Sequence, residues 1–235
     1  NFYKSSELLN EDQSSMPDTT PYGMPVVDSI SEKLLNSLSR TANYKIRRKE
    51  IQKWNKKNKF IKKGIGLSPV KFGISFTLTH LNQAGALVHV YLDGSIYLNH
   101  GGTEMGQGLF VKMAQVAAES FGVDLSKIKI SATNTSKIPN TSATAASSGS
   151  DLNGMATKIA CEKIINRVKS ILSNKYGVSE TKIRFENNNI HLDNKIIKFS
   201  EGVAIAYENR ISLSATGYYA TPEISWNRET GKGQP

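Results

Sequence analysis

Nine residues, HGGTEMGQG from His100 to Gly108, set four glycines between a strand-like run and a helix-like one. A strand that turns through glycines into a helix leaves backbone N–H groups unpaired at the positive end of the helix dipole. Such an end suits an anion, above all a phosphate. A tight strand-to-helix connection with no ligand has the same pattern. Neither common phosphate-loop signature fits: Gln107 and Gly108 stand where GxxxxGK(S/T) needs Lys and Ser or Thr, and GxGxxG is absent. Any anion bound here would be held by backbone amides and neutral side chains.

A second stretch, TSATAASSGSDLNG from Thr141 to Gly154, consists almost entirely of small residues and also runs into a helical pattern. A flexible linker has this composition too. Because it is the second such loop to feed a helix N-terminus, a βαβα layout can bring the two ends together. They would then form a site for a large, flat, anionic ligand approached by backbone. Conventional catalytic sets are missing. His80, His89, His100 and His191 contain no HxxxH pair, and the single Cys161 excludes a thiolate cluster. Glu104 and Asp151, the carboxylates nearest the two loops, read as partners for nearby N–H groups rather than as catalysts.

The chain has 235 residues and a net charge of +10. Residues 45–63 hold ten Lys and Arg against the single acid Glu50, so nine of those ten charges are local. Trp54 and Phe60 are interleaved with them, a pattern shared by phosphate-backbone binders and by solvated helix faces with apolar anchors. No nucleic-acid fold motif accompanies the stripe, so no nucleic-acid partner is expected. No apolar run approaches the roughly 20 residues of a membrane helix, and no membrane or secretory segment is read at the N-terminus. The lone cysteine suits a reducing, cytoplasmic compartment. Without an initiator Met, the chain reads as a piece of a longer polypeptide.

The elements that must position the two loops follow from periodicity. Residues 1–30, polar and carrying Pro17, Pro21 and Pro25, read as an extended covering segment. Ser31 to about Asn58 is helical with a break near Thr41, and Ser31 is a candidate N-cap. Val70, Phe72, Ile74 and Phe76 alternate as a strand, as do Ala86, Val88, Val90 and Leu92 after a turn around Asn82–Gly85, and a two-residue Asp93-Gly94 turn leads to Ile96 and Leu98. These make three antiparallel strands. Leu109, Met113, Val116, Ala117 and Phe121 form one helix face ended by Gly122. Ile128 and Ile130 mark a short strand, and Pro139 opens a loop. Leu152, Ala156, Ala160, Ile164, Val168 and Leu172 line a long helix. Residues 182–199 read as a hairpin with turns at Asn187–Asn189 and Asp193-Asn194, Ser200 to Tyr207 as a short helix, and Ile211, Leu213 and Ala215 as a strand, with loop after Pro222. The expected organisation is 1–63 extended segment and basic helices, 64–222 an α+β domain of two layers, mixed sheet with helices packed on it, and 223–235 a truncated loop.

Five stretches together are specific: KFGISFT (71–77), LNQAGALVHVY (81–91) with Asp93-Gly94-Ser95, HGGTEMGQGL (100–109) with Lys112-Met113, PNTSATAAS (139–147) with DLNG (151–154), and SLSATGYY (212–219). Over about residues 44–222 the chain resembles the molybdenum-cofactor domain of the xanthine dehydrogenase/oxidase family, with aldehyde oxidases as near relatives. The resemblance implies a partial molybdopterin-binding domain and hydroxylation of a purine or aldehyde with water-derived oxygen. It further implies electrons passing through 2Fe-2S clusters and FAD to NAD+ or O2, and a homodimeric full enzyme. By the same resemblance, Gly106, Gln107 and Gly108 contact the pterin and its phosphate. Thr144, Ala145, Ala146 and Ser147 lie beneath the metal, with Ala146 closest to molybdenum. Phe76, Thr77 and Ala145 face the substrate, Phe76 edge-on to its ring.

The departures are equally specific. The GEPP-type motif carrying the family's catalytic glutamate is absent, as are the FRGFGGP-type motif with the second aromatic and the Arg and Glu that fix a purine. The chain alone is therefore expected to hold no catalytic residue, to be inactive and to be free of cofactor.

Overall fold

The computed structural model describes residues 18–70, 72–134, 136 and 140–234. The expectations for residues 1–17, for Lys71 and for the loop at Pro139 lie outside them. The chain divides into two compact units, residues 74–224 and residues 1–73 with 225–234.

The larger unit is built on a four-stranded mixed sheet in the order β3-β2-β1-β7. Strand β1 (Gln83–Val90) pairs antiparallel with β2 (Ile96–His100) and with β7 (Ser214–Ala220), and β3 (Ile128–Ile130) lies parallel to β2. A parallel neighbour requires a crossover, and α3 (Leu109–Phe121) supplies it. On β1, Ala84, Ala86, Val88 and Val90 are buried, as the period-2 pattern requires. The long helix α4 (Gly149–Tyr176) lies against β1 and β7. Its approach depends on small residues: a Cβ on Gly217 of β7 would overlap the Ala156 carbonyl. Most of the apolar positions read for α3 and α4 face the core, while Val116 is only half-buried. Leu109, Met113, Ala117 and Phe121, with Ile164, Val168 and Leu172, are buried there. Cys161 is buried among them, and burial pushes its thiol up to about 12, so it is a packing residue.

A second, antiparallel sheet of β4 (Ile183–Glu186), β5 (Asn189–Leu192) and β6 (Lys195–Lys198) follows, then α5 (Phe199–Glu208). Its turns sit where the asparagines placed them, with Asn187, Asn188 and Asp193 at positive φ. Helix α5 begins at Phe199 with Lys198 at the cap position, so Ser200 is no cap.

Three other expectations require correction. The described residues of the alternating run, 70 and 72–76, form no strand. Val70 and Phe72 are 85% and 71% exposed, and among the described residues no strand pairs with them. The turn placed at Asn82–Gly85 lies earlier, since β1 already begins at Gln83. The Asp93-Gly94 turn is a three-residue loop: Tyr91 N–H donates to Ser95 O, Gly94 N–H donates to Tyr91 O, and Gly94 has φ +81°. Leu92 thus falls in the turn and is exposed.

The smaller unit contains α1 (Ser31–Thr41) and α2 (Tyr44–Lys57), joined through Asn43 in the left-handed region. Ile30 rather than Ser31 occupies the N-cap position, and no side chain caps the helix. Neither helix buries a residue, and the basic stripe is exposed, with local contacts only: Lys63 lies 4.4 Å over the Trp54 ring, Lys59 lies 5.6 Å over Phe60, Arg48 donates to Tyr44 Oη, and Lys62 donates to Asn55 O and Asn58 O. The tail read as loop carries a hairpin, β8 (Ser225–Asn227) with β9 (Lys232–Gln234). Among the described residues no helix is long and apolar enough to cross a membrane.

Candidate functional site

Strand β2 ends at His100, and the chain bends through Gly101–Gly108 into α3. The bend is pinned from below. His100 is buried, and its Nδ1 accepts the Gly102 N–H at 3.1 Å. Its ring meets Phe110 edge-on at 5.0 Å. Burial pushes the imidazole down to about 4, with the nearby Glu104 charge pulling the other way. Gly102 has no room for a side chain, because a Cβ would lie 2.6 Å from Leu109 Cδ2 and 2.9 Å from Asn153 Nδ2. Further along, Gly106 and Gly108 take φ of +97° and +73°, which glycine adopts without the Cβ clash.

The small-residue loop is fastened beside this bend. Ser142 N–H donates to Gln83 O, and Thr141 Oγ1 accepts the Gly85 N–H, both on β1. Thr144 Oγ1 then accepts the Thr103 N–H at 2.8 Å, which ties the two loops directly across 41 residues of sequence. Ala146 and Ser147 both have positive φ (51° and 53°), a conformation that L residues keep only where the surroundings fix it. Ser75, also at positive φ, donates its N–H to Ala146 O at 3.0 Å. This bond draws the 74–81 segment to the site. Asn82, 2% exposed, holds that segment in shape: its Oδ1 accepts the Phe76 N–H at 2.8 Å and its Nδ2 donates to Phe76 O at 2.9 Å. Those bonds replace the strand ladder that the sequence pattern suggested.

Between the two loops lies a cleft of about 430 Å³. Gln107, Thr144, Ala145, Ala146 and Ser147 line it, together with Met105, Leu109, Lys112, Gly149 and Ser150. Gly106 and Gly108 flank the lining without facing it. Phe76, half-buried, and Thr77, exposed, are not part of the wall and adjoin it through the Ser75–Ala146 bond. The α4 side of the cleft carries nothing larger than threonine, and Lys112 adds a cation. A larger cleft of about 640 Å³ sits at the opposite end of α3, but Glu119, Asp124 and Glu186 there make it a poor home for an anion.

Sequence reasoning missed three features. Asn82 gave no signal, because its role depends on a bend that the alternating pattern concealed. Lys112 was legible only as part of a motif, and Asn153 only as a helical position. No group of three or more His, Cys, Asp or Glu able to hold a metal is found among the described residues. A metal in this cleft would have to arrive with its own ligands.

The residue types present suit a pterin bearing a sulfur-bound metal: a side-chain-poor wall, backbone brought close on both sides, and one cation. The comparisons agree with that fit. A xanthine dehydrogenase/oxidase of Gallus gallus is 49% identical over 195 residues, covering 83% of this chain and 13% of that protein. A xanthine dehydrogenase of Dictyostelium discoideum is 42% identical over the whole chain and 15% of its own length. The chain thus spans only about one seventh of these relatives. The crystal structure of quinoline 2-oxidoreductase from Pseudomonas putida 86 shares the fold, with a TM-score of 0.75 at 21% identity over 92% of this chain and 30% of that one. Residues 37–235 match the family described as the molybdopterin cofactor-binding domain, and with the two loops converging on one cleft we conclude that the chain belongs to that family.

Proposed function

We propose that this chain forms one wall of the molybdenum–pterin site of a xanthine dehydrogenase-like oxidoreductase that hydroxylates a purine such as hypoxanthine or xanthine. The observation that carries the reading is the convergence of the 103–109 and 144–150 bends on a single cleft, joined by the Thr103–Thr144 bond. Gly106, Gln107, Gly108, Thr144, Ala145 and Ser147 would hold the cofactor, with Ala146 next to the metal. Phe76, Thr77 and Ala145 would face the substrate. The cofactor, when bound, supplies the oxidative hydroxylation chemistry.

The chain's own residues do the positioning. Ala145 and Ala146 keep bulk out of the cleft, and the Ser75–Ala146 bond sets how far Phe76 stands from it. Phe76 presents a ring edge suited to a flat heterocycle. The catalytic base, the second aromatic and the 2Fe-2S, FAD and NAD+ or O2 functions belong to the remainder of the polypeptide, in a cytoplasmic homodimer. Relatives about seven times longer than this chain support that division.

The test is Ala146→Leu in the full-length enzyme. Its isobutyl group enters the cleft and is expected to lower xanthine turnover on the order of 10²-fold by displacing the reacting partners. Molybdenum content and turnover equal to the parent enzyme would refute the assignment. Turnover of aldehydes but not purines would favour the aldehyde oxidase reading, and turnover by the isolated 235-residue chain would refute its expected inactivity.

A further inference from the structure

The bend ahead of α3 was expected to offer its amides to a ligand's acid group, yet those amides are already taken. Glu104 Oε1 accepts the N–H of Gly106 at 2.9 Å and of Gly108 at 3.0 Å, and Oε2 accepts the N–H of Phe110 at 2.9 Å. One carboxylate therefore closes the first turn of α3 and sits at the positive end of its dipole. Gln107 locks the same bend with its own amide: Oε1 accepts the Met105 N–H at 2.6 Å, and Nε2 donates to Thr103 O at 2.8 Å. Thr103 is the residue tied to Thr144 across the cleft. The backbone from Thr103 to Phe110 is thereby fixed by side chains of the bend itself before any ligand arrives. In keeping with this, the bond from Phe110, followed by those from Gly108 and Gly106, holds the Glu104 carboxyl below its ordinary range.

We propose that Glu104 is a positioning residue: a built-in anion that occupies the amides of Gly106, Gly108 and Phe110 at the entry to α3 and sets the shape of the cofactor-facing bend. Gly106 and Gly108 would then meet the cofactor through their side-chain-free backbone and not through their N–H groups, and an acidic group of the ligand is left to Lys112 and the 144–150 wall. The second half of this inference rests on the cleft being the cofactor site; the first half does not.

The experiment is hydrogen exchange on the full-length enzyme, prepared with and without its molybdenum cofactor, read at Gly106, Gly108 and Phe110 and at residues 144–150. In the parent enzyme, loading is expected to slow exchange at 144–150 and leave the amides of Gly106, Gly108 and Phe110 unchanged. E104A is expected to speed exchange at those three amides by about tenfold or more, loaded or not. E104Q, which keeps the side-chain length and one acceptor oxygen, is expected to restore part of the protection and to abolish its dependence on acid pH. Loading that slows Gly106, Gly108 and Phe110 in the parent enzyme would overturn the proposal, because the ligand would be displacing Glu104. E104A with unchanged exchange at the three amides would also overturn it. If loading changes neither bend while E104A still frees the three amides, the cleft assignment fails and the role of Glu104 in shaping the bend stands. Should E104A fail to fold, E104Q and the parent enzyme's acid profile decide the question.

Discussion

His100 gives the sharpest stability prediction. It ends β2 with 1% of its surface exposed, its Nδ1 accepts the Gly102 N–H, and its Nε2 is buried without a hydrogen-bond partner among the described residues. Burial lowers the folded-state value from 6.5 to about 4. The folded chain thus binds this proton more weakly than the unfolded chain does. Stability is complete above pH 6.5, falls as the pH drops from there, and levels off below about 4. At about 1.4 kcal/mol per pH unit, that window costs about 3 kcal/mol. Two carboxylates shift in the same direction and add to the loss in acid: Asp93, held by Ser95, and Glu104, held by Phe110, Gly108 and Gly106. Both sit below their ordinary range, so what they contribute is present above their unfolded values and lost as the pH falls through the lowered ones, largely beneath the His100 window. His100→Asn keeps an acceptor near Nδ1 and cannot titrate. Urea unfolding of parent and variant from pH 8 to pH 4 should show the parent losing about 3 kcal/mol more than the variant. Parallel curves would refute the idea that burial of this imidazole destabilises the fold in acid.

Two further outcomes are expected. Gly102→Ala forces a methyl against Leu109 and Asn153 and should cost about 1–3 kcal/mol, read as a lowered thermal midpoint. Asn82→Ala leaves the N–H and C=O of Phe76 without their partners and should cost about 1–3 kcal/mol, with faster exchange of the Phe76 amide.

Much of this protein was legible along the chain. The 3.6-residue spacing of Leu109, Met113, Ala117 and Phe121, and of Leu152 through Leu172, reports burial on one face, and those residues are buried. The alternation of Ala86, Val88 and Val90 reports the pleat in the same way. The five motifs alone carry the family resemblance. What periodicity cannot carry is which groups meet. Val70 to Phe76 alternate like a strand, yet a strand exists only where a neighbour accepts its hydrogen bonds. Here Asn82 and Ala146 bind Phe76 and Ser75 instead. The Thr103–Thr144 bond joins residues 41 apart, and the three amides captured by Glu104 depend on a carboxylate folding back over its own turn. The one-dimensional pattern fixes which face each segment must bury. Only the folded backbone decides which hydrogen-bonding groups come within 3 Å of one another, and the cleft between the two bends is made by those meetings.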